Sequence, residues 1–158
     1  MMNKNNATFE EMKRIGREWE EKRAVHQAKK QDIINEYGWD SGELKAWYAE
    51  KEAHTFPFTQ GESKAYRAWA ETISRGEDEF EMSDFLFDTE VEDMIKTLRK
   101  AGIPTMVYTN TSTAVMENIH HFAALGCTMT GLCTITRKES RWGEEEEARI
   151  QGIRFQIN

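Results

Sequence analysis

Cysteine, proline and long apolar runs are all scarce in this chain. Two cysteines, Cys127 and Cys133, in 158 residues exclude a disulfide framework and suit a reducing compartment. No apolar stretch nears the roughly 20 residues that would span a bilayer. The opening residues, MMNKNNATFEEMKR, lack the apolar segment of a signal peptide, so the expected location is the cytoplasm. Positive charge is in deficit as well: Lys and Arg number 21 against 28 Asp and Glu, a net charge of −7. That balance argues against broad affinity for nucleic acid, which needs clustered cations on phosphates. There is no internal repeat. What is present is 39% hydrophobic and 11% aromatic residues, enough to bury a core in a chain of this length.

The helix punctuation is legible. A capping-box pattern runs from Thr8 to Glu11, and a long helix is expected to follow from about Phe9 to Tyr37, stopped by Gly38. Asp40 and Ser41 open a second helix that must end near His54, since the backbone before Pro57 disfavours helix. Thr59 and Glu62 form another capping box. After it Tyr66, Trp69, Ala70 and Ile73 make a buried stripe, closed by Gly76. Residues 77–87 read as an acidic, aromatic connection with a short extended piece. Asp88 is expected to cap the next helix, whose inner face is Val91, Met94, Ile95 and Leu98. Residues 105–109 read as a strand, and the stretch from the turn at 110–113 to a stop at Gly126 as a helix with Val115, Ile119, Phe122 and Ala123 on one side. Residues 127–136 and 150–157 read as strands in a hairpin joined by a charged loop at 137–149. Joining the first of these strands to the next through a helix permits a parallel crossover. The reading is α+β: N-terminal helices at 1–57, then an α-β-α-β-β unit at 58–158 with a small mixed sheet.

Nine acids fall between residues 77 and 93, with no Lys or Arg among them. Glu77, Asp78, Glu79, Glu81 and Asp84, interleaved with Phe85 and Phe87, form a candidate negative, partly apolar face for a basic groove on a protein partner. The glutamates at 144–147 add a second negative edge. Trp142, beside Arg137 and Arg141, is a candidate interface anchor, because Trp and Arg dominate binding hot spots. A separate candidate is an anion site at a helix N-terminus, from Thr109, Asn110, Ser112 and Thr113, completed by Arg137 or Arg141. His120 and His121 point about 100° apart on a helix, and Cys127 and Cys133 lie roughly 20 Å apart on a strand. They do not converge as zinc ligands do, so neither metal nor cofactor is expected. His26 and His54 stand alone among helical charges.

Residues 98–110, a helix ending in Lys-Ala-Gly followed by a strand ending in Thr-Asn, resemble the second motif of haloacid dehalogenase-type phosphatases. There a hydroxyl at the strand end holds a phosphoryl group, and an Asp-x-Asp pair at an earlier strand end does the chemistry. Here Asp84 and Asp88 are four apart, and no Asp follows Asp93. TLRKAGI at 97–103, VYTNTSTAVMENIH at 107–120, GLCTITR at 131–137 and QGIR at 151–154 resemble small uncharacterised proteins carried on mobile elements of gut gram-positive bacteria. That resemblance implies an accessory, anti-defence setting and brings no catalytic residue. The leading expectation is therefore a non-enzymatic protein that inhibits or modulates a nucleic-acid-handling enzyme through an acidic surface, of anti-CRISPR or anti-restriction type. The alternatives are a small anion- or nucleotide-binding domain, as in a degenerate enzyme, and a homodimer built on the long first helix.

Overall fold

The computed structural model describes residues 2–157. Among them run α1 (Ala7–Tyr37), α2 (Gly42–Ala49), α3 (Lys51–His54), α4 (Gln60–Ser74), β1 (Phe80–Met82), α5 (Asp88–Lys100), β2 (Thr105–Tyr108), α6 (Val115–Ala124), β3 (Thr128–Arg141) and β4 (Glu144–Gln156). The architecture is α+β, with N-terminal helices followed by a four-stranded mixed sheet. The chain divides into two compact units, one made of the first nine residues and Thr59 onward, the other of Glu10–Phe58.

In the larger unit the strand order is β1-β2-β4-β3. β1 and β2 are parallel, joined by α5, while β2 and β4 are antiparallel and β3 and β4 form a hairpin. Two expectations change. The short extended piece at 77–87 is a strand of the sheet, and it, not β3, is the parallel partner of β2. β4 then sits between β2 and β3, so the helix between β2 and β3 connects strands that are not neighbours. The helix caps shift too. Asn6 accepts from the N–H groups of Thr8 and Phe9 at 3.1 and 3.3 Å, ahead of the Thr8 box. Asp88 is the first residue of α5, not its cap, and the Glu90 carboxylate reaches back to the Phe87 N–H at 2.9 Å. Thr59 caps α4 as its box implies, accepting from the Glu62 N–H at 3.2 Å.

One sheet face carries the core. Met106 and Tyr108 of β2 and Phe155 of β4 are buried with Phe80 and Met82 of β1. Phe122 of α6 meets Tyr108 and Phe155 edge-on, with ring centroids 5.1 and 5.2 Å apart. The Tyr108 hydroxyl accepts from Asn118 at 2.6 Å, which satisfies a polar tip inside this apolar layer. Val91, Met94, Ile95 and Leu98 of α5 are fully buried, the stripe that their spacing dictates. α4 approaches α5 so closely that a Cβ on Gly61 would lie 2.3 Å from the Glu90 carbonyl oxygen.

The smaller unit holds the rest of α1 with α2 and α3. Ser41 caps α2, accepting from the Leu44 N–H at 3.1 Å, and Leu44 and Trp47 are its buried residues. The single helix expected up to His54 is broken at Glu50, which separates α2 from α3.

Candidate functional site

The second sheet face is polar, and the alternation of its strands explains which side chains meet there. Register places Glu81 beside Val107 and Val107 beside Arg154; cross-strand partners share a face, as do residues two apart on one strand. Glu79, Glu81, Thr109 and Arg154 therefore lie on one side. The hairpin brings Arg137 to them. A Cβ on Gly152 would lie 2.6 Å from the Val107 side chain and 3.1 Å from that of Thr109. Only a glycine lets β4 curl across the sheet at this point.

Glu81 is the hub. Its side chain is 1% exposed. One carboxylate oxygen accepts from the Thr109 hydroxyl at 2.7 Å and from Arg137 Nη1 at 2.8 Å. The other accepts from Arg75 Nη1 at 3.2 Å. The Glu81 backbone N–H donates to Thr72, whose hydroxyl is bound to the Ala68 carbonyl at 2.7 Å. Arg137 also donates from Nε to Glu139 at 3.0 Å. Alongside, Arg154 grips Glu79 with two hydrogen bonds, of 2.8 and 2.6 Å. A buried carboxylate with three donors is satisfied, and removing one partner would strand the others.

Glu77 differs. Its side chain is 9% exposed, and neither oxygen has a hydrogen-bond partner; Arg75 Nη1 stands 3.9 Å away. Burial, then the neighbouring Glu81 carboxylate, pushes its pKa up from 4.5 to about 7, against the pull of Arg75 and Arg137. A proton on Glu77 gives it a hydrogen to donate to Glu81, a carboxylate that an ionised Glu77 only repels.

The two candidate sites of the sequence thus meet and consume each other. Glu79 and Glu81, expected on a solvated negative face, are internal partners of Arg154, Arg75 and Arg137. Asp84 faces Arg67 at 3.5 Å, and Asp78 also has an interaction of its own. Phe85 is half-buried and meets the exposed Phe87 edge-on at 4.7 Å. Of the anion candidates, Thr109 and Arg137 are bound to a carboxylate. Asn110 accepts from the Ser112 N–H and hydroxyl at 2.9 and 2.5 Å and donates to the Ser83 carbonyl. Thr113 lies exposed, and α6 begins only at Val115. An anion placed here would face Glu81, which is a correction to that reading with a plain electrostatic cause. The strand that precedes β2 in the phosphatase comparison does exist as β1, but its acid is Glu81, held by two guanidinium groups.

The structure overturns the expected loop at 137–149. Pairing runs without interruption to Arg141 and Glu144, leaving a two-residue turn of Trp142 and Gly143, with φ of 53° and 81°. Trp142 is 101% exposed. Because β2 pairs with β4 only at 153–156, the hairpin from 133 to 152 is a two-stranded ribbon, about 30 Å long at ~3.3 Å per residue. Its residues alternate half-buried and exposed along 131–140, so one face turns inward and one outward. His121 pairs with Asp88 at 2.9 Å, His120 is exposed, Cys127 is buried and Cys133 half-buried.

Every residue of this network and ribbon falls within the segment matched by one family model, a domain of unknown function (DUF7698), at residues 64–157. The chain belongs to that family. The DUF7698 segment takes in most of α4, the whole sheet, α5 and α6, and it excludes the smaller helical unit. No curated protein and no solved structure matches the chain. No helix among the described residues is long and apolar enough to cross a membrane.

Sequence reasoning missed one grouping entirely. His26 and His54, 28 positions apart, lie with their Nε2 atoms 3.2 Å from one another in the smaller unit.

Proposed function

We propose that this chain is a non-catalytic protein-binding module that presents the tip of the β3–β4 ribbon to a macromolecular partner. One observation carries the reading: the first residue of the turn is a tryptophan, fully exposed, in the left-handed region. A two-residue hairpin turn with positive φ favours Asn-Gly or Gly-Gly, and a bulky side chain there costs about 1–2 kcal/mol. Trp142 serves neither the turn nor the core. An indole held at the end of a ribbon is the kind of rigid anchor that dominates interfaces.

The buried network supports this role from behind. Arg137 on Glu81 latches the inward face of the ribbon to the sheet and so fixes where the tip points. The glutamates at 144–147, all exposed, stand beside Trp142 and complement a basic groove. In its finer form the partner is a nucleic-acid-handling enzyme and the protein an inhibitor of it, of anti-CRISPR or anti-restriction type. What supports that form is charge complementarity and the small acidic character of the chain. The acidic face moves from 77–84, where Glu79 and Glu81 are held by arginines and Glu77 is buried, to the ribbon.

Affinity capture from a bacterial host with the wild-type chain and with Trp142→Ala tests the proposal. A partner retained by the first and lost by the second, with circular dichroism unchanged, is the expected result. Identical captured sets would refute it. Reversal of Glu144 and Glu146 to lysine separates the finer form: it slows association with a basic partner and leaves any uncharged one untouched.

A further inference from the structure

We infer that His26 and His54 form a binding site for a divalent transition-metal ion of zinc type, in the smaller unit and outside the family-matched segment. The argument begins with the far side of His26. Its Nδ1 lies 3.2 Å from Glu50 Oε2. An ionised carboxylate at that distance favours the tautomer with its hydrogen on Nδ1, which leaves a lone pair on Nε2 of the neutral ring. A carboxylate behind a histidine is the arrangement that fixes tautomer and ring orientation for metal binding.

That lone pair faces His54. The two Nε2 atoms are 3.2 Å apart. Two imidazole nitrogens on one tetrahedral zinc ion, each about 2.0–2.1 Å from it, stand about 3.3–3.4 Å apart. The separation already matches that bite. The Trp47 carbonyl oxygen, 3.0 Å from His54 Nε2, offers a third donor. The rings are held in place. His26 is buried and stacks on the Trp47 indole at 4.5 Å and 9°, and that indole donates to the His26 carbonyl at 2.7 Å. His54 sits edge-on to Trp47 at 4.6 Å and is exposed to solvent, which leaves an open side for entry and for water ligands. Without an ion, His54 Nε2–H donates to His26 Nε2 and the Trp47 carbonyl. On metal binding the His54 ring takes its other tautomer, with the hydrogen on Nδ1, and the metal occupies the vacated Nε2 lone pair. No third histidine, cysteine or carboxylate converges with the pair among the described residues, so water completes the coordination and binding is weaker than at a structural zinc site.

The test is titration of the full chain with zinc chloride, followed by calorimetry and tryptophan fluorescence. The expected result is one ion per chain, with a change in emission from the stacked Trp47. His54→Ala, at an exposed position, abolishes that binding, and Glu50→Gln weakens it by roughly tenfold. Absence of heat and of any emission change with zinc in the millimolar range overturns the site. So does binding that His54→Ala leaves unchanged, which would put the ion elsewhere on the chain.

Discussion

Replacing Glu77 by glutamine should make the protein more stable at alkaline pH and leave it little changed near pH 5. In the folded chain this carboxyl is buried, lacks a hydrogen-bond donor and neighbours Glu81, so it titrates at about 7 and not at 4.5. Between those values the folded state holds a proton that the unfolded state has released. Stability therefore falls as pH rises through that window, and above it the penalty is constant. Each tenfold change in proton affinity is worth about 1.4 kcal/mol, so the penalty is at most about 3 kcal/mol. Glutamine cannot ionise and keeps nearly the same shape, and its amide can donate to Glu81 as the protonated acid does. Urea unfolding of both proteins at pH 5 and pH 8, followed by tryptophan fluorescence, reads the difference. The variant should gain about 2–3 kcal/mol on wild type between the two pH values. Comparing the two proteins cancels the other titrating groups. A difference that is the same at both pH values, or a variant less stable at pH 8, would refute the reasoning.

Other substitutions have signs fixed by the same structure. Glu81→Gln removes the charge that two guanidinium groups and a hydroxyl converge on, and should cost about 3–5 kcal/mol in chemical denaturation, as loss of one partner of a buried pair does. Trp142→Asn suits the positive-φ turn and should raise stability by about 1 kcal/mol while partner capture is lost; a destabilised variant would contradict the turn argument. Gly152→Val puts a side chain into Val107 and Thr109 and should cost at least about 1–3 kcal/mol, as overpacking does. It should also raise proteolysis within the ribbon, readable by limited digestion. Phe122→Ala, which empties the space between Tyr108 and Phe155, should cost about 3–5 kcal/mol, measured as a drop in urea midpoint.

Local signals carried much of the fold. Gly38, Gly76, Gly102 and Gly126 end their helices at positive φ, and the α5 stripe is buried residue for residue, because these depend on neighbours within one helical turn. Non-local pairing was not legible. β1 is three residues long with a glutamate at its centre, so its hydrophobic alternation is too short to register, and only the partner at 106–108 makes it a strand. The charges at 137–149 resemble a loop because a two-stranded ribbon exposes one face throughout. The sequence identified the acids of the site and, separately, Thr109 and Arg137. Nothing in their spacing told that Glu81 and Arg137, 56 positions apart, neutralise one another. Likewise nothing local links His26 with His54. Trp142 was visible as a loop tryptophan, but its place in the turn depends on the register of Arg141 with Glu144.

The sheet order has a consequence for biosynthesis. β4 leaves the ribosome after β1, β2 and β3, yet it lies between β2 and β3, which touch no common strand until it arrives. The nascent chain can pair β1 with β2 early, while the edges of β2 and β3 stay open. A message cut short before residue 144 would therefore yield a product with its sheet in two pieces, and quality-control proteases should clear it faster than they clear a chain lacking only the smaller helical unit.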